Sequence, residues 1–228
     1  MFKPADLFDL AQTAQASLFA ECRFGWEALP RIETWLAAHL KPGLHNQCEG
    51  VAYIGAKVFI GKGTMVEDGA MIKGPAWIGE NCRIRHNAYI RENVIVGNDC
   101  VIGNSCELKN SMLFNGAQVP HFNYVGDSIL GSGAHLGAGV KLSNYKLFAG
   151  NITVEVEGAP LDTGLRKFGA LIGDGAEIGC NAVLNPGSVV GRGAVIYPNV
   201  FWRGTLPARS IAKNKAEIAV DVLRPRER

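Results

Sequence analysis

From Ile54 onward an apolar residue recurs every six positions: Ile54, Ile60, Val66, Ile72, Ile78, Ile84, Ile90, Val96, Ile102, Leu108 and Phe114. Four positions after most of these heads the residue is small, as at Thr64, Ala70, Ala76, Cys82, Ala88, Cys100 and Cys106. Glycine often follows the head directly, as at Gly55, Gly61, Gly79, Gly97 and Gly103. The pattern returns at Leu130, Leu136 and Leu142, and again from Ile172 through Ile178, Leu184, Val190 and Ile196 to Trp202. A six-residue unit is one short strand plus a corner, and no single coil can bury its own apolar heads. Stacking coils creates the core, so the spacing predicts an all-β fold, a parallel β-helix of hexapeptide repeats. Three hexads close a triangular coil of about eighteen residues, with each residue ~4.8 Å from its counterpart in the next coil. The small fifth residues then fill crowded corners, which accounts for Cys82, Cys100 and Cys106 without redox or metal chemistry.

Residues 1–47 lack this period. Leu7, Leu10, Ala14 and Leu18 follow helical spacing, and a second helix is expected over Trp26–Leu40, closed by Pro42 and Gly43. The expected organisation is therefore a helical cap over 1–47, a β-helix over 48–205 with an insertion at 147–170 carrying two short strands and a basic "GLRK" tip, and a tail over 206–228. The N-terminus carries early acidic residues and no apolar run, so neither a signal peptide nor a membrane span is expected, and reduced thiols in a cytoplasmic protein are the expectation. The net charge of +2 is too small to point to nucleic acid.

With the inward positions assigned, the outward ones can be read. Lys73, Arg91 and Lys109 each follow a head and are spaced by eighteen, so they should stack into a column of cations, with Glu107 close to Lys109. Such a column repels itself unless an anion or carboxylate sits against it. It fits a phosphate seat, or equally a solvated face neutralised by Glu67, Glu80 and Glu92. The period loses its aliphatic heads across "QVPHFNYVGDS", residues 118–128, and resumes two places early at Leu130. That segment is expected to leave the coil as a loop. His121, within it, is a candidate general base, since an unperturbed imidazole titrates near pH ~6.5.

Residues 103–146 carry "E-x-K" at Glu107–Lys109, then "H-x-x-Y-x-G-D" from His121 to Asp127, "G-A-G" at 137–139 and "N-Y" at Asn144–Tyr145. This run resembles the acetyltransferase domain of bacterial and archaeal N-acetylglucosamine-1-phosphate uridyltransferases, and more loosely the likeness extends over 51–215. The resemblance implies left-handed coiling, a homotrimer, and transfer of an acetyl group from acetyl-CoA to an amino-sugar phosphate on the way to UDP-N-acetylglucosamine. It implies His121 as general base, and Arg91 and Lys109, with Lys73 in the same column, as phosphate contacts. Glu107 and Tyr124 would shape the sugar pocket, and Asn144 would meet the sugar or acetyl group. The backbone at Ala138 would face the thioester, with Cys180, Arg203, Arg209, Lys213 and Lys215 on the CoA side.

There are departures. His135 stands where the bacterial enzymes carry a sugar-contacting asparagine, Cys180 where they carry a serine, and no nucleotidyltransferase domain is expected ahead of the repeats. A sugar nucleotide could then be made only with a separate nucleotidyltransferase as partner, and a non-catalytic binding or regulatory domain is the alternative reading. A γ-type carbonic anhydrase is a further alternative, because His86 and His121 lie about two coils apart; its third histidine is missing, and no metal is expected.

Overall fold

The computed structural model describes residues 2–214. Short strands of two to four residues alternate with corners and stack into three parallel sheets of nine, nine and eight strands. Side chains from all three meet on the axis: Ile60, Val66, Ile72, Ile78, Ile84 and Ile90 are each fully buried. The ladder begins earlier than expected, at Gly43–Leu44, and continues to Ile211–Ala212. The repeat therefore extends beyond 48–205 at both ends.

The six-residue period is not continuous to Phe114. Val96 pairs with Leu113, so Leu113 points inward, and Phe114 faces out, stacked 5.1 Å from Phe8. Val119 and Val125 are the next inward heads, and Leu130 follows. Two corners each lose one residue, between Leu108 and Leu113 and between Val125 and Leu130. Asn110 and Asp127 turn these tighter corners with φ of 43° and 47°, a conformation asparagine and aspartate tolerate. Residues 118–128 therefore stay in the ladder; the expected loop is a register change.

The N-terminal segment is not a cap over the end. It lies along the outer face of the first sheet, where Ile95, Met112, Ile129, Leu171 and Val189 would otherwise expose apolar surface. Leu7, Phe8, Leu18, Phe19, Trp26 and Leu36 cover that face. The single helix expected through Leu18 is instead a short helix, Pro4–Leu7, followed by 3₁₀ turns. The second helix runs only over Arg31–His39. Pro30 has no N–H to donate to the Trp26 carbonyl, so Gly25–Ala28 takes a 3₁₀ turn before it.

The insertion leaves after Leu142 and the ladder resumes at Ala170–Ile172, where Ile129 pairs with Leu171. Between them Thr153–Val156 and Ala159–Asp162 form the two expected strands, an antiparallel hairpin. Ile152, Val154 and Phe168 return to the first-sheet face and pack in the same apolar cluster as Trp26.

Candidate active site

The corner thiols are structural. Cys82, Cys100 and Cys106 each place Sγ 3.1 Å from a carbonyl of a neighbouring corner, at Gly97, Phe114 and Val119 respectively. Burial pushes the Cys106 thiol up, so it stays protonated and donates. Asn123 occupies the same small-residue position and was not foreseen. Its buried amide accepts from the His121 N–H at 3.0 Å and donates to the Gly137 carbonyl at 2.7 Å, tying two coils together at this corner.

His121 ends the strand Gln118–His121 in the second sheet, and its imidazole is exposed. Register stacks Asn104, His121, Ala138 and Cys180 in one column at the corner between the second and third sheets. The Gly139 N–H donates to the His121 carbonyl and the Asn181 N–H to that of Ala138. Among the described residues no acceptor meets the Ala138 N–H. His86 belongs to the same column but is separated from His121 by Asn104, whose Nδ2 lies 2.7 Å from His86 Nε2. No group of three metal-ligating side chains occurs among the described residues.

Immediately after His121 comes Phe122, 61% exposed and held at φ 53°. The matching corner positions of other coils carry Gly69, Asn87, Ser105, Gly139, Asn181 and Asn199. An aromatic residue in that conformation is an outlier of the kind that gathers at functional sites. Phe122 forms one wall of a cleft of about 600 Å³ with Glu107, Tyr124, Lys141 and Asn144 on the third-sheet face. A contiguous cleft of about 460 Å³ is lined by Arg91, Lys109, Tyr124, Asn144, Tyr145 and Lys167. His121 stands at the corner beside this trough, next to Phe122 rather than in its lining.

The cation column forms as expected, Lys73, Arg91 and Lys109 following successive heads in the third sheet, but Arg91 and Lys109 are already paired with carboxylates. Arg91 meets Glu107 at 2.9 Å and Glu92 at 3.3 Å. Lys109 pairs at 3.4 Å not with Glu107 but with Asp127, a carboxylate of low exposure that also accepts from Asn110 and Asn144. Arg91 Nε is buried without a protein acceptor. Lys73 sits over the Tyr89 ring, 5.9 Å from its centroid. Asp127 belongs to the "G-D" of the motif, which was the available signal for it.

Gly126 follows Lys109 in the column, and its missing side chain matters. A Cβ there would lie 2.6 Å from both the Tyr124 hydroxyl and Asn144 Nδ2, so the phenol lies over the glycine and reaches the amide. Burial, with Glu107 and Asp127 nearby, pushes the Tyr124 phenol up, which keeps it a neutral donor.

Other expected site residues are dispersed. His135 lies on the outer second sheet, 3.0 Å from Glu177, away from Tyr124 and Asn144. Arg209 turns the corner between first and second sheets at φ 55°, Lys213 sits over Tyr197, and Arg203 lines a cleft under the insertion. These do not form one basic cluster, and Lys215 lies outside the described residues.

Comparison with known proteins agrees with this architecture. The bacterial transferase hexapeptide (six repeats) model matches residues 52–91 and 169–201, and the GMPPB C-terminal domain model matches 72–159. Over the matched residues the chain carries hexapeptide repeats similar to those of bacterial transferases, and a segment similar to the GMPPB C-terminal domain. The bifunctional sugar-1-phosphate nucleotidylyltransferase/acetyltransferase of Sulfurisphaera tokodaii is 36% identical over 39% of this chain and 22% of its own. The bifunctional protein GlmU of Methanococcus vannielii is 31% identical over 48% of this chain and 26% of its own. The chain thus spans about a quarter of the length of these relatives. Among solved structures, Francisella novicida UDP-N-acetylglucosamine acyltransferase is 19% identical, covers 72% of this chain and 64% of its own, and superposes with a TM-score of 0.37.

Proposed function

We propose that the chain is a CoA-dependent acyltransferase acting on the amine of an amino-sugar phosphate or its nucleotide derivative, with His121 as general base. The observation that carries this reading is the column His121–Ala138–Cys180 at the edge of the Tyr124–Asn144 cleft. The similarity to nucleotidylyltransferase/acetyltransferases supports it.

The acyl donor, acetyl-CoA, would lie along that corner, with its thioester carbonyl taking the Ala138 N–H. The sugar would lie over Tyr124 and Asn144. The amine attacks the carbonyl carbon, a C–N bond forms and the C–S bond breaks. His121 accepts the amine proton and returns one to the departing thiolate. Tyr124, kept neutral, and Asn144 orient the sugar. Assembly as a homotrimer would let a neighbouring copy face the same trough.

A second reading, a non-catalytic sugar-nucleotide-binding partner of a separate nucleotidyltransferase, draws on the carboxylates that already occupy Arg91 and Lys109. Thiol release from acetyl-CoA, measured against a panel of amino-sugar phosphates and nucleotide amino sugars, separates the two. Acceptor-dependent release is expected; binding of the sugars without release would favour the second reading.

A further inference from the structure

We propose that the insertion builds a subsite, continuous with the Tyr124–Asn144 trough, for the nucleoside diphosphate end of a nucleotide-linked sugar. The acyl-transfer reading enters only in naming the other end of that molecule as an amino sugar.

The first argument is charge. Arg91 and Lys109 are held by Glu92, Glu107 and Asp127, so that cluster has more carboxylates than cations and is a poor seat for a free phosphate dianion. Lys73 and Lys141 on the third-sheet face lack a carboxylate partner among the described residues, but four further such cations, Lys146, Arg166, Lys167 and Arg203, gather toward the insertion. Lys167 lines the Arg91 cleft, and Arg203 and Lys146 line the neighbouring one. Arg166 sits over the Tyr145 ring at 5.3 Å and donates to its hydroxyl at 3.1 Å. A diphosphate would find its counter-charge on this side.

The second argument is shape and surface chemistry. Tyr145 and Ser143 are shared between the trough and a further cleft of about 470 Å³. Its walls include Phe148, Leu147, Ile152 and Pro186 beside Arg203 and Lys146. Leu147 and Phe148 are 93% and 81% exposed. Apolar and aromatic walls with a few cations suit a flat base carrying phosphates.

The third argument is reach. From His121 to Gly126, in the column of Ser143, Asn185 and Arg203, is five residues, up to about 16 Å of extended chain. A sugar bearing a diphosphate and a nucleoside is long enough. The cleft also lies across the third sheet from the Ala138–Cys180 corner, which sets it apart from the side proposed for CoA.

The test is calorimetric titration of the full chain with UDP, GDP, dTDP, ADP, glucosamine 1-phosphate and CoA, in wild type, Arg203→Glu and Phe148→Ser. At least one nucleoside diphosphate is expected to bind, and each variant to weaken it about tenfold or more while CoA affinity holds. Absence of nucleoside diphosphate binding to the wild type would overturn the proposal, as would binding indifferent to both variants. Loss of CoA affinity in the variants would assign the cleft to the acyl donor instead. A Phe148→Ser variant that changes oligomeric state by light scattering, with nucleotide affinity intact, would assign it to a second copy. Nucleotide binding through this cleft in a protein that releases no thiol with any amino sugar would overturn the acyl-transfer reading and leave the subsite standing.

Discussion

Lys109 and Asp127 face each other across adjacent coils of the third sheet, 3.4 Å apart and both largely shielded from water. Removing one member of such a pair strands the other, and this costs more than the pair contributes. Asp127→Asn keeps a residue that tolerates φ 47° but removes the charge. It is expected to destabilise the fold by about 3 kcal/mol in denaturant unfolding. Adding Lys109→Met should recover most of that loss, a coupling an exposed pair would not show.

Gly126→Ala separates stability from site geometry. The new Cβ would meet side-chain atoms only, Asn144 Nδ2 and the Tyr124 hydroxyl at 2.6 Å and Tyr124 Cζ at 2.9 Å, so these two side chains rather than the backbone must give way. Unfolding free energy is expected to change by less than about 1 kcal/mol, while acceptor affinity falls about tenfold or more because the phenol and amide are displaced. Calorimetry with the acceptor and a thermal melt check the two halves.

Phe122 bears conformational strain that most positions of its column avoid or lessen with glycine or asparagine, as at Gly69, Asn87, Gly139, Asn181 and Asn199. Phe122→Asn should therefore stabilise the protein by about 1 kcal/mol, since the exposed ring loses little burial. Acyl transfer should fall in the same variant, because the cleft loses a wall beside His121. A gain in both stability and turnover would show that the ring serves neither the cleft nor the reaction.

Tyr124 gives the pH dependence. Its phenol is raised in the folded state, first by burial and then by Glu107 and Asp127. For a group whose folded pKa is raised, the stabilising contribution is full below the unfolded value, near 10 for a phenol, and is lost as pH rises through the folded one. Tyr124→Phe should flatten the decline in stability on the alkaline side and leave the neutral region nearly unchanged. A decline of identical slope in both proteins would contradict the assignment.

The repeat was legible because its inward residues recur in phase, and so was the third-sheet cation column, because spacing alone places Lys73, Arg91 and Lys109 in line. What spacing could not reveal is a corner one residue shorter. Phe114 is as apolar as Leu113, so only the ladder register tells which points inward. The loss of phase at 118–128 suggested a loop, whereas Val119 and Val125 had taken over as heads. Asn123 and Asp127 escaped notice because their importance lies in partners a full coil away. The helical stripe at Leu7–Leu18 misled because those side chains serve a flat sheet face, reached by short turns rather than one helix. The insertion's cations Arg166 and Lys167 were visible as a basic tip, but no period could say which cleft Lys167 lines.

The most direct measurement of the central claim is the steady-state rate of thiol release from acetyl-CoA with the best amino-sugar acceptor, in wild type, His121→Ala and His121→Asn, from pH 6 to 9. The imidazole is exposed, so both variants should melt as the wild type does. Loss of one positioned base is expected to lower kcat by about 10²–10⁴-fold in each, because the asparagine offers shape without basicity. Wild-type turnover in both variants across that range would contradict His121 as the base of acyl transfer.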